Sequence, residues 1–158
     1  MKLPKVLPLI FVLLLSLSCS NENENDNANP SSIQIGDYIF NFETEFTLEE
    51  LQGIDSYVGN MNGDGITLSF DYGYYTGPVS NLPTNEYLVT EDEVSGHFRQ
   101  IVKPVDSKTK FTRIHLYKIS DAVASPGGYN SLTVYARNLT SVQQEMVLKV
   151  FNSVAIAD

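Results

Sequence analysis

Cys19 is the only cysteine in this 158-residue chain, so no internal disulfide is available to hold a fold together. Whatever domain follows it must be stabilised by packing. About 140 residues lie downstream, and a domain of roughly 130 of them buries about two thirds of the surface its unfolded chain exposes, enough for a core without staples. One domain is the natural count. Nine Tyr, eight Phe and no Trp, set among many Val, Ile and Thr, favour β-rich structure.

The formal charge is −9. Removing residues 1–18 would take away Lys2 and Lys5 and no acid, which brings it to −11. Phosphate backbones and anionic lipid heads repel so acidic a protein, so nucleic acid is excluded as a partner and charge cannot hold the chain at a membrane.

The N-terminus offers another means. Lys2 and Lys5 precede an apolar run at 9–17 (LIFVLLLSL), followed by the small Ser18. Nine residues rise about 14 Å as a helix, against the ~30 Å needed to span a bilayer, so the run reads as a signal peptide. Leu15-Ser16-Leu17-Ser18-Cys19 resembles the lipobox of bacterial lipoproteins. Ser16 departs from that pattern, standing where an aliphatic residue is usual, and Leu17 falls one place late. The resemblance implies cleavage after Ser18 and acylation of Cys19, with the membrane as partner through its acyl chains. One chain binds marginally, whereas two or three give durable attachment.

Residues 20–32 (SNENENDNANPSS) hold nothing apolar larger than Ala and cannot offset their own ordering entropy. They are expected to form, with Cys19, a disordered tether over 19–32, reaching roughly 20 Å on average. Glu22, Glu24 and Asp26 suit a plain soluble linker. They also resemble, with Asn separating the acids, the acidic surface-export signal of Bacteroidota lipoproteins. Ser20 is compatible with onward sorting to an outer membrane.

The remaining residues, 33–158, are expected to form one α+β domain, an antiparallel sheet with a C-terminal helix packed on one face. Residues 33–42 alternate as a first strand with a bend or bulge at Gly36-Asp37. Thr47-x-x-Glu50 has the form of a capping box, so 48–52 are expected to make a helical turn. Strands at 56–61 and 66–75 flank Asn62-Gly63-Asp64-Gly65, a strong hairpin signal. A long loop over 76–86 carries Pro78 and Pro83. Strands follow at 86–90, 97–103 and 111–119, the last two joined by a turn around 104–110. Another turn falls at 126–128 and a last strand at 131–138.

The helix that follows is capped by Thr140 or Ser141 with Gln143 or Gln144, and places Val142, Met146, Val150 and Val154 on one face, widened by Val147 and Phe151. Glu145 precedes Lys149 by four residues, the favourable order for a surface pair. In the last third of the chain this order of elements resembles that of the PsbP-like family of small α+β domains, which implies a fold class and no site residues.

Four groups of residues invite a chemical reading. Asn60-x-Asn62-x-Asp64-Gly65 with Asp71 echoes a calcium loop, but flanking strands favour a plain turn. His97 and His115 are the only histidines. A loop centred near Asp106 would set them opposite each other, and a register slipped by two residues would set His115 against Arg99; with Arg99 and Arg113 on the same face and no carboxylate at a matching spacing, no metal site is expected. If Phe98, Val102, Ile114 and Leu116 face the core, then His97, Arg99, Arg113, His115 and Tyr117 face outwards together, a basic and aromatic face suited to an anionic ligand or partner. The alternative is a solvated sheet face. Tyr72 and Tyr74 share one side of a strand and Tyr75 the other with Asp71, a cluster able to stack on sugars or peptides, or simply half core and half cover.

No G-x-S-x-G, H-E-x-x-H or phosphate-loop motif is present, so no catalytic residue and no cofactor is expected. The sequence therefore favours a non-catalytic envelope lipoprotein that binds an envelope protein or glycan. An assembly subunit comes next and a small hydrolase last.

Overall fold

The computed structural model describes residues 30–106 and 110–157. The expected signal peptide, Cys19 and the expected tether up to Asn29 lie outside the described residues, as do 107–109 and Asp158.

The fold is an antiparallel α+β arrangement in which two sheets and one long helix enclose a single core. Strand order begins at Ser31, inside the stretch that composition assigns to the tether. β1 (Ser31–Ile35) and β2 (Tyr38–Phe42) pair as a hairpin, correcting the single bent strand expected over 33–42. Gly36 has φ +57°, the positive value that the first centre of this two-residue turn requires, so the chain reverses rather than bulges. At the open end Ser31 Oγ donates to the Thr44 carbonyl (3.0 Å) and accepts from the Phe46 amide (2.8 Å).

β3 (Thr47–Leu51) is an edge strand paired with β4 (Tyr57–Gly63), not the helical turn that its capping-box pattern suggests. The edge of β4 offers a full row of backbone partners, whereas a one-turn helix satisfies few of its own. β4 and β5 (Ile66–Gly73) form the expected hairpin, turning on Asp64 (φ +49°) and Gly65 (φ +66°). β6 (Tyr87–Val94) runs four residues beyond its expected end and meets β7 (His97–Pro104) at a tight Ser95-Gly96 turn. β8 (Phe111–Lys118) leads into α1 (Ile119–Ala124), a short helix not foreseen from the sequence, and then into β9 (Ser131–Arg137).

β9 inserts between the two meanders, giving the seven-stranded order β3-β4-β5-β9-β8-β7-β6. α2 (Ser141–Asn152) packs on one face of this sheet. Thr140 and Gln143 close a reciprocal capping box at its start, resolving the sequence's two alternatives. Its buried side is Val147, Val150 and Phe151, followed by Val154, while Val142 is exposed rather than part of the apolar face. Lys149 lies 4.0 Å from Glu43, a partner from the first hairpin. β10 (Ala155–Ile156) returns to pair with β2, so the small sheet reads β1-β2-β10.

The core lies between these layers. Ile35, Phe40, Met61, Leu68, Ile114, Leu116, Leu132, Val134 and Phe151 are all sealed from solvent. The opposite face of the large sheet mixes polar side chains with aromatic ones such as Phe98, Phe111 and Tyr117, and the connection between β5 and β6 crosses it.

Candidate functional site

In an antiparallel pair, residues directly opposite share a face. His97 pairs with Lys118, Arg99 with Leu116, and Gln100 with His115. The odd positions of β7 therefore match the even positions of β8, contrary to the register expected from a loop centred at Asp106. This divides the basic face that the sequence suggested. His97 and Arg99 lie on the core side with Ile114 and Leu116. Arg113, His115 and Tyr117 lie on the far side with Phe98 and Val102.

On the core side, His97 is buried edge-on against the Tyr38 ring (centroids 5.5 Å). Arg99 forks onto Asp92 through Nε and Nη2, and its Nη1 donates to the carbonyls of Asn152 (2.9 Å) and Phe151 (3.4 Å) at the end of α2. The hydrogen bonds from Arg99 hold the Asp92 carboxyl below the usual carboxylate range. Arg99 is thus a helix-end clamp rather than part of an outward face.

The tyrosines separate in the same way. Tyr72 turns its ring to the core side, over Gly36, where a Cβ would come within 2.5 Å of it. β5 ends at Gly73, and Tyr74 and Tyr75 are exposed in the turn beyond. No joint stacking platform of Tyr72, Tyr74 and Tyr75 is assembled. The calcium-like residues are spread along the β4–β5 hairpin. Asn60 and Asn62 donate to Glu49, Asp64 accepts from Thr44, and Asp71 stands seven residues up the strand.

The far face carries a polar row that crosses five strands in register: Asp71, Thr133, His115, Gln100 and Glu91. The 74–86 connection is fastened over it. Gln100 uses its side-chain amide as a strand would use its backbone, donating to the Val79 carbonyl (3.0 Å) and accepting from the Val79 amide (2.8 Å), while also donating to Glu91 (2.7 Å). Thr76 and Ser131 hydroxyls meet at 2.6 Å. Arg113 Nη2 donates to the Gly77 carbonyl and to Thr133 Oγ1 (3.0 Å), which also lies 3.0 Å from His115 Nδ1.

Two groups in this layer are unusual. His115 is fully buried, and burial together with the Arg113 charge pushes its pKa down to about 3, so it is neutral. Arg113 is only 9% exposed, and among the described residues no carboxylate pairs with it. Its Nη1 has no hydrogen-bond partner, nor have His115 Nε2 and Asp71 Oδ1. A buried guanidinium without a counter-charge is costly.

No protein family, curated protein or solved structure matches the chain. The reading of the site therefore rests on its geometry. Beside Arg113 is an opening of about 270 Å³ lined by Val79, Phe111, Arg113, Thr133, Tyr135 and Arg137. A second opening, of about 280 Å³, lies between the first hairpin and α2; it is apolar, with Phe42, Phe46, Met146 and Val150 on its walls. Only the first brings a buried, unpaired charge to a cavity.

Of the residues singled out from the sequence, Arg113 and His115 share this layer. His97, Arg99 and Tyr72 lie on the other side of the sheet, and Tyr74 and Tyr75 beyond the end of β5. Gln100, Thr133, Tyr135 and Arg137 were missed, although a signal was present. Residues 131–137 (SLTVYAR) alternate strictly, placing Ser131, Thr133, Tyr135 and Arg137 together on the side away from the core.

Proposed function

We propose that this chain is a lipid-anchored, non-catalytic binding or accessory module of the bacterial envelope, held to the outer membrane by acyl chains on Cys19. The observation that carries the reading is the order of parts at the N-terminus. Two lysines, a nine-residue apolar run, Ser18-Cys19 and a polar stretch end where β1 begins. The far face, strapped by the 74–86 connection and opening beside Arg113, supplies a place for a ligand. The two histidines lie on opposite faces and cannot act together on one substrate.

Growth with an alkyne-tagged palmitate tests the anchor. The wild-type chain is expected to carry the label and to sediment with membranes, whereas Cys19→Ser loses both. An unlabelled wild-type chain would overturn the proposal. Protease treatment of intact cells then separates surface display, with Glu22, Glu24 and Asp26 as the export signal, from a periplasmic position with those acids as plain linker.

One feature supports the second reading, a subunit of an envelope assembly. β3 is exposed along its whole length, with Leu48 and Leu51 uncovered and Ile54 fully exposed just beyond. An unpaired edge of this kind accepts a strand from another chain. Crosslinking in native membranes through a residue introduced at Glu50 would capture a stoichiometric partner if β3 is so used, and none if it is not.

A further inference from the structure

We propose that the opening beneath the 74–86 connection binds a small organic carboxylate, its charge received by Arg113 and Arg137 and its carbon body by Phe111, Tyr135 and Val79. The inference rests on the binding-module reading and gives that module a ligand class.

The argument begins with register. Phe111 pairs with Arg137, and Arg113 with Tyr135, on adjacent strands and on the same face. The two arginines are therefore diagonal neighbours, roughly 7–8 Å apart at the backbone, close enough for like charges to repel. In a chain of net charge −9, two cations side by side with no carboxylate between them run against the general balance. Three other cations are answered, Arg99 by Asp92, Lys110 by Glu86 and Lys149 by Glu43, while Lys103 and Lys118 are exposed to solvent. Glu91, on the same face, is engaged by Gln100.

Arg137 instead has its guanidinium over the rings of Phe111 (5.7 Å) and Tyr135 (5.9 Å). Such stacking orients a cation without neutralising it. Arg113 is held by Gly77 and Thr133 through one nitrogen, which leaves Nη1 buried and unpartnered. A planar guanidinium with a free donor beside a cavity is matched by a carboxylate, which accepts two hydrogen bonds in one plane. The aromatic rings and Val79 on the walls then require that the anion carry a carbon body, and the volume of about 270 Å³ limits it to a single ring or short chain.

The test titrates the isotope-labelled full chain in detergent micelles with benzoate and with glucuronate, followed by amide NMR shifts. Benzamide and glucose serve as their uncharged counterparts. At least one carboxylate is expected to bind with a Kd of about 1 mM, the range suited to so small a ligand. Shifts are expected to concentrate at 111–113 and 133–137. Preference for benzoate would mark a flat apolar ligand and preference for glucuronate an acidic sugar. Arg137→Gln, at an exposed position that should leave the fold intact, is expected to weaken binding at least tenfold. Arg113→Gln should do the same wherever its amide spectrum stays folded. The proposal is overturned if neither carboxylate shifts these amides, if the uncharged counterparts bind as well, or if Arg137→Gln binds like the wild type.

Discussion

Replacing His115 by Gln should change how stability depends on pH, and in a direction the structure fixes. His115 is sealed beneath Tyr117 and the 74–86 connection, with a pKa of about 3 against about 6.5 in an unfolded chain. Between those values the unfolded chain takes up a proton that the folded one refuses. Stability contributed by the neutral ring is therefore complete above about pH 6.5 and falls by up to about 1.4 kcal/mol per pH unit below it. Relative to pH 8, the loss through this one group amounts to about 1.4 kcal/mol at pH 5.5 and about 2.7 kcal/mol at pH 4.5. Gln keeps an amide beside Thr133 and does not titrate. Carboxylates common to both proteins cancel in the difference. Urea unfolding at pH 8, 5.5 and 4.5 should thus show the wild type's advantage over His115→Gln shrinking by those amounts. A difference that stays level within about 0.5 kcal/mol from pH 8 to 4.5 would refute the reasoning, because His115 would then be protonating in the folded state.

Arg99→Ala should cost about 1–3 kcal/mol, since it leaves the terminal carbonyls of α2 and the Asp92 carboxylate without their donor. Arg99→Lys should recover only part of it, and an Arg99→Ala protein as stable in urea as the wild type would exclude the clamp. Gly36→Ala should destabilise by about 2 kcal/mol or more, because it forces an L-residue to φ +57° and drives a methyl into the Tyr72 ring. Gly127→Ala, where a methyl meets nothing within 4 Å, is the control expected to change Tm little. Thr140→Ala should cost about 1 kcal/mol by opening the capping box of α2, read from the same unfolding curves.

How far the sequence could be read depended on whether local chemistry and tertiary demand agreed. They agree at Asp64-Gly65, where the turn residues and the flanking alternation point to one hairpin. They agree again at Thr140, where a cap precedes an amphipathic run. They disagree at 47–51. Thr-Leu-Glu-Glu-Leu suits a helix, yet the open edge of β4 decides the matter with a full ladder of backbone hydrogen bonds. The candidate face failed for a different reason. β8 alternates clearly, with Arg113, His115 and Tyr117 against Ile114 and Leu116, but β7 places Ile101 and Val102 side by side and so conceals its parity. With parity hidden, an odd difference in register, three residues from His115 to Lys118 opposite His97, moved His97 and Arg99 to the other side of the sheet. The alternation of 131–137 held the information that β7 lacked, because β9 lies at the centre of the sheet and its polar side is the floor of the site.

The clasp at Ser31 has a mechanical meaning. β1 is an edge strand, and its first residue stands at the open end of the hairpin, opposite Phe42. Tension on the chain ahead of Ser31 would peel β1 from β2 one rung at a time, like a zipper, instead of shearing all rungs together. Such a joint yields at low force unless its first rung is secured. Ser31 secures it, because its hydroxyl ties the strand's leading end to Thr44 and Phe46, residues beyond the rung itself. A pull on the chain ahead of Ser31 would have to break those two bonds before the zipper could start, so the load is passed past the hairpin into the segment leading to β3.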